Sequence, residues 1–288
     1  MAWIEMSGPD AREYLHRLST VDARALKPGE GAPGLFLNAQ GRIQASFHLW
    51  CLEDNRFAFE LEAGPGGKLK QGLLDWIEQY HFGEKFEISE PAGLSTLWMF
   101  DWGEDWTTRV KNGVRSCNAG SVDYGRPLIT LWGERSALEP LQAGSEASFE
   151  ELERGRIEAL APRAGHELTP ENGPLEAGFS AALAMNKGCY PGQEVIEKTI
   201  SLGQPAQRLC RLEGKGAPPR EGAAILNQGA PPSQLGRITS AARAGDGFVA
   251  LGFVRKIHAK EGLELAVEGA EGLARISAVS RFTGPESA

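Results

Sequence analysis

From residue 208 onward, short runs rich in apolar and β-branched residues recur at roughly ten-residue spacing, at 208–212, 223–226, 235–241, 248–254, 263–267 and 274–282. Clusters such as Gly216-Ala217-Pro218-Pro219 and Gly245-Asp246-Gly247 separate them, and no helical period intervenes. A chain written this way closes into a small all-β barrel or sandwich. Before about Pro205 the pattern differs. Strands alternating in period two at 34–38, 42–52 and 56–62 are interleaved with amphipathic helices, which predicts an α+β body rather than a regular parallel repeat. We therefore expect two domains, 1–205 and 206–288.

Within the body, Ser7-Gly8-Pro9-Asp10 reads as a helix start, and Ala11, Tyr14, Leu15 and Leu18 follow on one helical face. The strands at 34–38 and 42–52 turn at Ala39-Gln40-Gly41. In the second of them Ile43, Ala45, Phe47, Leu49 and Cys51 share a face, and Gln44, Ser46, His48 and Trp50 the other. Cys51 is expected in the core by its apolar neighbours. The breaker run Gly64-Pro65-Gly66-Gly67 precedes a helix carrying Leu69, Leu73, Trp76, Ile77 and Tyr80. Further strands are expected at 85–89, 95–102 and 127–132, then a helix from Phe149 capped by Ser148 with Glu151 three residues on.

The stretch 185–199 alone combines a thiol, flexible backbone and a helix start. Pro191 suits the first helical position and Glu194 the first turn. Cys189 then faces unpaired backbone N–H groups with Lys187 two residues away, both of which favour a thiolate, while Gly188 and Gly192 let a ligand approach the backbone. The bland alternative, a small buried spacer, is weakened by these neighbours. Glu158, on the helix from Phe149, is by residue type alone a solvated surface carboxylate. Core packing accounts for most of the aromatic run 97–106, although Trp102 or Trp106 could stack on a flat heterocycle. His16, His48 and His166 stand apart from any acid–nucleophile pair in sequence, and none is assigned to catalysis.

Lys187-Gly188-Cys189-Tyr190-x-Gly192-Gln193-Glu194 resembles the signature of the YgfZ family, folate-binding proteins related to the aminomethyltransferase (T-protein) of the glycine cleavage system. Arg156-Ile157-Glu158-Ala159, His166-Glu167-Leu168-Thr169, Pro174-Leu175-Glu176-Ala177-Gly178 and the N-terminal Gly8-Pro9-Asp10-Ala11 with 15–22 are similar to further family segments. The resemblance implies a T-protein-like folate-binding body followed by a barrel, with tetrahydrofolate in a cavity and Cys189 near its mouth. It implies that Glu158 contacts the pterin, as a carboxylate accepting from amino and ring N–H donors can. Leu160 stands where the family has glycine. The implied role is a folate-dependent accessory factor for assembly or repair of iron–sulfur enzymes, including those that modify tRNA, with Cys189 as nucleophile or reductant.

A folate-dependent aminomethyltransferase or demethylase and a non-catalytic module with a vestigial folate site are the alternatives. Against the first, Ala45 and Ser46 stand where the resemblance places the acids of aminomethyltransferases, and neither supplies a negative charge at neutral pH. The net charge of −8, with Lys and Arg dispersed, speaks against direct nucleic-acid binding. Four cysteines without a Cys-x-x-Cys pair or close Cys/His spacing give neither a disulfide framework nor a local zinc or iron–sulfur site, so no metal ligand is assigned. With no signal peptide and no run of about 18 apolar residues, a cytoplasmic location off the membrane is expected.

Overall fold

The computed structural model describes residues 1–91, 93–100, 114–117, 128–142 and 144–281. They form two compact units, Met1–Ser145 with Ala181–Gln193, and Glu146–Ser180 with Glu194–Ala288. Trp102, Trp106 and the aromatic run beyond Phe100 lie outside the described residues.

The first unit opens with a strand that sequence reading missed, β1 (Ala2–Ser7), and α1 (Ala11–Leu18) follows after a three-residue link. Ser7 therefore ends a strand instead of capping a helix. Asp10 holds the N-cap position but spends its carboxylate on the Lys85 N–H at 2.7 Å. Next come β2 (Gly31–Leu37), β3 (Ile43–Glu53), β4 (Arg56–Leu61), α2 (Lys68–Gln79) and β5 (Glu87–Ser89), then β6 (Leu94–Phe100), β7 (Arg115–Cys117), β8 (Leu128–Glu134) and the single turn α3 (Arg135–Leu138). An antiparallel sheet is ordered β2-β3-β4-β1-β5, and a three-stranded one β6-β8-β7.

Alternation along β3 decides the layering. Ala45, Phe47, Leu49 and Cys51 join Tyr14, Leu15, Leu73 and Trp76 in the core beneath the helices. Trp50 and Leu52, on the opposite face, pack with Trp3, Ala58 and Trp132 of β8. The Trp3 and Trp132 rings stack at 4.5 Å, and Trp3 Nε1 donates to Thr96 Oγ1 at 3.1 Å.

In the second unit α4 (Phe149–Glu158) carries the expected capping box: Ser148 Oγ accepts from the Glu151 N–H and the Glu151 carboxylate accepts from the Ser148 N–H. After α5 (Gln193–Ser201), β9 (Gln207–Lys215), β10 (Ala224–Leu226), β11 (Gln234–Ala244), β12 (Gly247–Arg255), β13 (Glu264–Val267) and β14 (Glu271–Val279) close a barrel ordered β10-β11-β12-β9-β14-β13. All six strands expected from spacing are present, around a core of Leu212, Ile225, Ile238, Phe248, Val254 and Ile276. The fold is thus α+β with a C-terminal barrel. Among the described residues no helix is long and apolar enough to cross a membrane.

Candidate functional site

The motif loop is held by its own residues. Lys187 Nζ donates to the carbonyl oxygens of His16, Ser19 (2.6 Å) and Val21 (2.8 Å), at and beyond the C-terminus of α1. Carbonyls of a last helical turn lack intrahelical partners, and a cation there meets both the hydrogen-bonding need and the helix dipole. An ammonium has three hydrogens, and all three are committed. Lys187 therefore buckles the end of α1 to the loop. Burial pushes its ammonium down to about 8. Nζ also sits 5.2 Å from the Tyr190 ring centroid, and that ring is buried.

Gly192 has φ +81°, and a Cβ there would lie 2.6 Å from Asn38 O and 2.8 Å from Gly41 Cα. Only glycine lets the loop meet the β2–β3 turn, so this glycine serves packing within the protein instead of access for a ligand. At Gly188 a Cβ would stand 3.6 Å from His16 Nε2, an ordinary contact. The same left-handed residue delays the helix. α5 begins at Gln193, two residues after Pro191, and Glu194 falls in its first turn as expected. Gln193 Oε1 accepts the Tyr190 N–H at 3.2 Å, and the Gln193 N–H donates to Tyr190 O at 3.2 Å.

Cys189 is exposed, whereas Cys51 and Cys210 are buried. Burial raises both of those thiols, Cys210 to about 12. Ala45 is a core residue and Ser46 is half-buried, so no carboxylate occupies that part of β3.

Glu158 ends α4 in the second unit, its carboxylate half-exposed and 3.7 Å from Arg154 Nε. Arg211 donates to its backbone carbonyl. The neighbouring Arg156, to which sequence reading gave no role, is 1% exposed. It donates to Glu153, Ala161 O (3.1 Å), Ser240 Oγ (2.6 Å) and Glu167 Oε2 (3.1 Å). Glu167 Oε1 accepts from the Thr239 and Ser240 hydroxyls at 2.6 and 2.7 Å. The two resemblance segments around Arg156 and Glu167 thus meet in one buried ion pair. His166 faces Glu221 at 3.4 Å, and His48 is fully buried. Among the described residues no group of three or more His, Cys, Asp or Glu side chains gathers to hold a metal ion.

No protein-family model matches the chain. A chloroplastic protein of Arabidopsis thaliana named as a transferase is 26% identical over 92% of this chain, which spans 66% of that protein's length. A mitochondrial homologue of the iron–sulfur cluster assembly factor IBA57 from Cryptococcus neoformans is 25% identical over 72% of this chain and 62% of its own. The crystal structure of the glycine cleavage system aminomethyltransferase T from Bartonella henselae superposes with a TM-score of 0.78 at 19% identity, covering 98% of this chain and 85% of that one. The chain has the T-protein fold. Within this T-protein-like fold the motif residues Lys187, Tyr190, Gly192 and Gln193 converge on one loop that leaves Cys189 exposed, and Glu158 lies in the other unit.

Proposed function

We propose that this chain is a cytoplasmic accessory protein that binds a reduced folate and supports assembly or repair of iron–sulfur enzymes, those that modify tRNA among them. The observation that carries the reading is the exposed Cys189, flanked by residues whose own hydrogen bonds and packing hold the loop. The relative named as an iron–sulfur cluster assembly factor supports the same direction. On this reading the nascent or damaged cluster of a client enzyme is the substrate, and Cys189 is the thiol that meets it. The partners are those enzymes and cluster-assembly proteins, without direct contact to nucleic acid.

A reduced folate, when bound, supplies one-carbon chemistry. The donor set fits it at one point: the half-exposed Glu158 carboxylate offers acceptor oxygens to a heterocycle rich in N–H donors. Aminomethyl transfer is disfavoured, since the methyl of Ala45 and the hydroxyl of Ser46 cannot balance a developing cation.

The test is an iron–sulfur tRNA-methylthiolating activity in cells lacking this protein, rescued with wild type or with Cys189→Ala. Wild type restores methylthiolation and the variant does not; equal rescue removes the thiol from the mechanism, and rescue by neither removes the accessory role. Separately, Glu158→Ala weakens tetrahydrofolate binding about tenfold or more, the loss expected for one hydrogen bond to a charged group. Unchanged affinity in a calorimetric titration would take Glu158 out of the folate site.

A further inference from the structure

His16 is a buried polar side chain beside the motif loop, and neither of its ring nitrogens has a hydrogen-bond partner among the described residues. It lies in the last turn of α1, 6% exposed, on the face that meets the motif loop. Its Nδ1 is 3.1 Å from Asp22 Oδ1, within ion-pair reach although no hydrogen bond joins them. Its Nε2 has no partner among the described residues and lies 3.6 Å from where a Cβ of Gly188 would stand. A carboxylate at Nδ1 selects the tautomer with its proton there and leaves the Nε2 lone pair open toward the residue preceding Cys189. Lys187 fixes the spacing, because its ammonium grips the carbonyl of His16 itself together with those of Ser19 and Val21.

We propose that His16, oriented by Asp22, is the base that accepts the Cys189 proton when the thiol turns toward Gly188. The S–H bond breaks, the proton moves to His16 Nε2, and the electron pair stays on sulfur as a thiolate beside an imidazolium; no electron leaves the pair. Four groups set the field around the ring. Asp22 favours the imidazolium, Lys187 opposes it, and Glu13 and Arg24 are largely spent on each other at 2.8 Å. Burial, then Lys187, lowers the His16 pKa, which keeps the imidazole in its basic form at neutral pH. A buried histidine that merely fills space has no need of an acid at one nitrogen and an open lone pair at the other.

The inference rests on the reading that Cys189 is the working thiol, and its test involves neither folate nor client, so its failure leaves the accessory role standing. Iodoacetamide alkylation of Cys189 in the full chain is followed by mass spectrometry at pH 7 and pH 9, in wild type and in His16→Gln, which keeps a polar side chain but takes no proton. At pH 7 the variant reacts about tenfold or more slowly, and at pH 9, where hydroxide removes the proton unaided, it comes within about threefold of wild type. Equal rates at pH 7, or an equal slowing at both pH values, overturns the proposal, because a purely structural role moves both alike. Circular dichroism reports whether His16→Gln folds. If it does not, NMR titration of the His16 imidazole in wild type and Cys189→Ala decides: a displaced midpoint supports the pair, and an unchanged one overturns it.

Discussion

Leu160 is the one non-glycine residue with positive φ (58°) among the described residues, and it sits where the family resemblance places glycine. The reason is the end of α4. The Ala161 N–H reaches back to Arg156 O at 2.9 Å and the Leu160 N–H to Ile157 O at 3.0 Å, a Schellman closure whose penultimate residue must be left-handed. The closure of α4 beside Glu158 is therefore made without a glycine, at a steric cost of about 1–2 kcal/mol for an L side chain in that region. Leu160→Gly should stabilise the protein by about 1 kcal/mol, since the greater freedom of glycine in the unfolded chain returns part of the gain. Urea denaturation checks this. A lowered midpoint would mean that the half-buried leucine side chain earns more in contacts than its backbone loses in strain.

Pairing of β3 with β4 sets His48 directly opposite Glu60, both fully buried. Trp50 Nε1 donates to Glu60 Oε2 at 3.2 Å, while both nitrogens of His48 have no hydrogen-bond partner among the described residues. Burial raises the Glu60 carboxyl to about 7 and lowers the His48 imidazole to about 4, so each is held toward its neutral form. The signs are opposite. Between 4.5 and about 7 the folded state binds the Glu60 proton and the unfolded state releases it, so this contribution falls as pH rises; the His48 contribution falls as pH drops from 6.5 to about 4. Glu60→Gln should match wild type near pH 4 and exceed it at pH 8 by up to about 3 kcal/mol, as roughly 2.5 pKa units imply. Parallel stability–pH curves would show that Glu60 titrates normally in the fold. Elements such as these were legible where their signals were local. Alternation marked β2 to β4, regular turn clusters marked all six barrel strands, and Ser148 with Glu151 marked the start of α4. What failed was punctuation. Ser7 to Asp10 carries helix-start residues in a strand-to-helix link, and the left-handed Gly192 postpones the helix that Pro191 announces. The work of Lys187 was illegible because its acceptors lie 166 to 171 residues away in sequence.

At the scale of the whole molecule, neither unit is one continuous piece of chain, since residues 181–193 return to the first and 146–180 join the barrel in the second. A second unit assembled this way needs contacts that tie the distant segments together, and Arg156, Glu167 and Ser240 supply them. Arg156 comes from α4, Glu167 from the following loop and Ser240 from β11, 84 residues beyond Arg156. Glu167 is wholly buried and has Arg156 as its cationic partner at 3.1 Å. Two charges taken out of water gain little over a well-packed apolar pair, but removing one of them strands the other. Arg156→Met should therefore cost about 3–5 kcal/mol, and adding Glu167→Met to it should recover a large part of that loss although it deletes a second set of hydrogen bonds. Urea midpoints of the two single variants and the double variant check this. If the double variant is less stable than either single one, the ion pair is worth its hydrogen bonds alone, and the join between α4 and the barrel rests on packing.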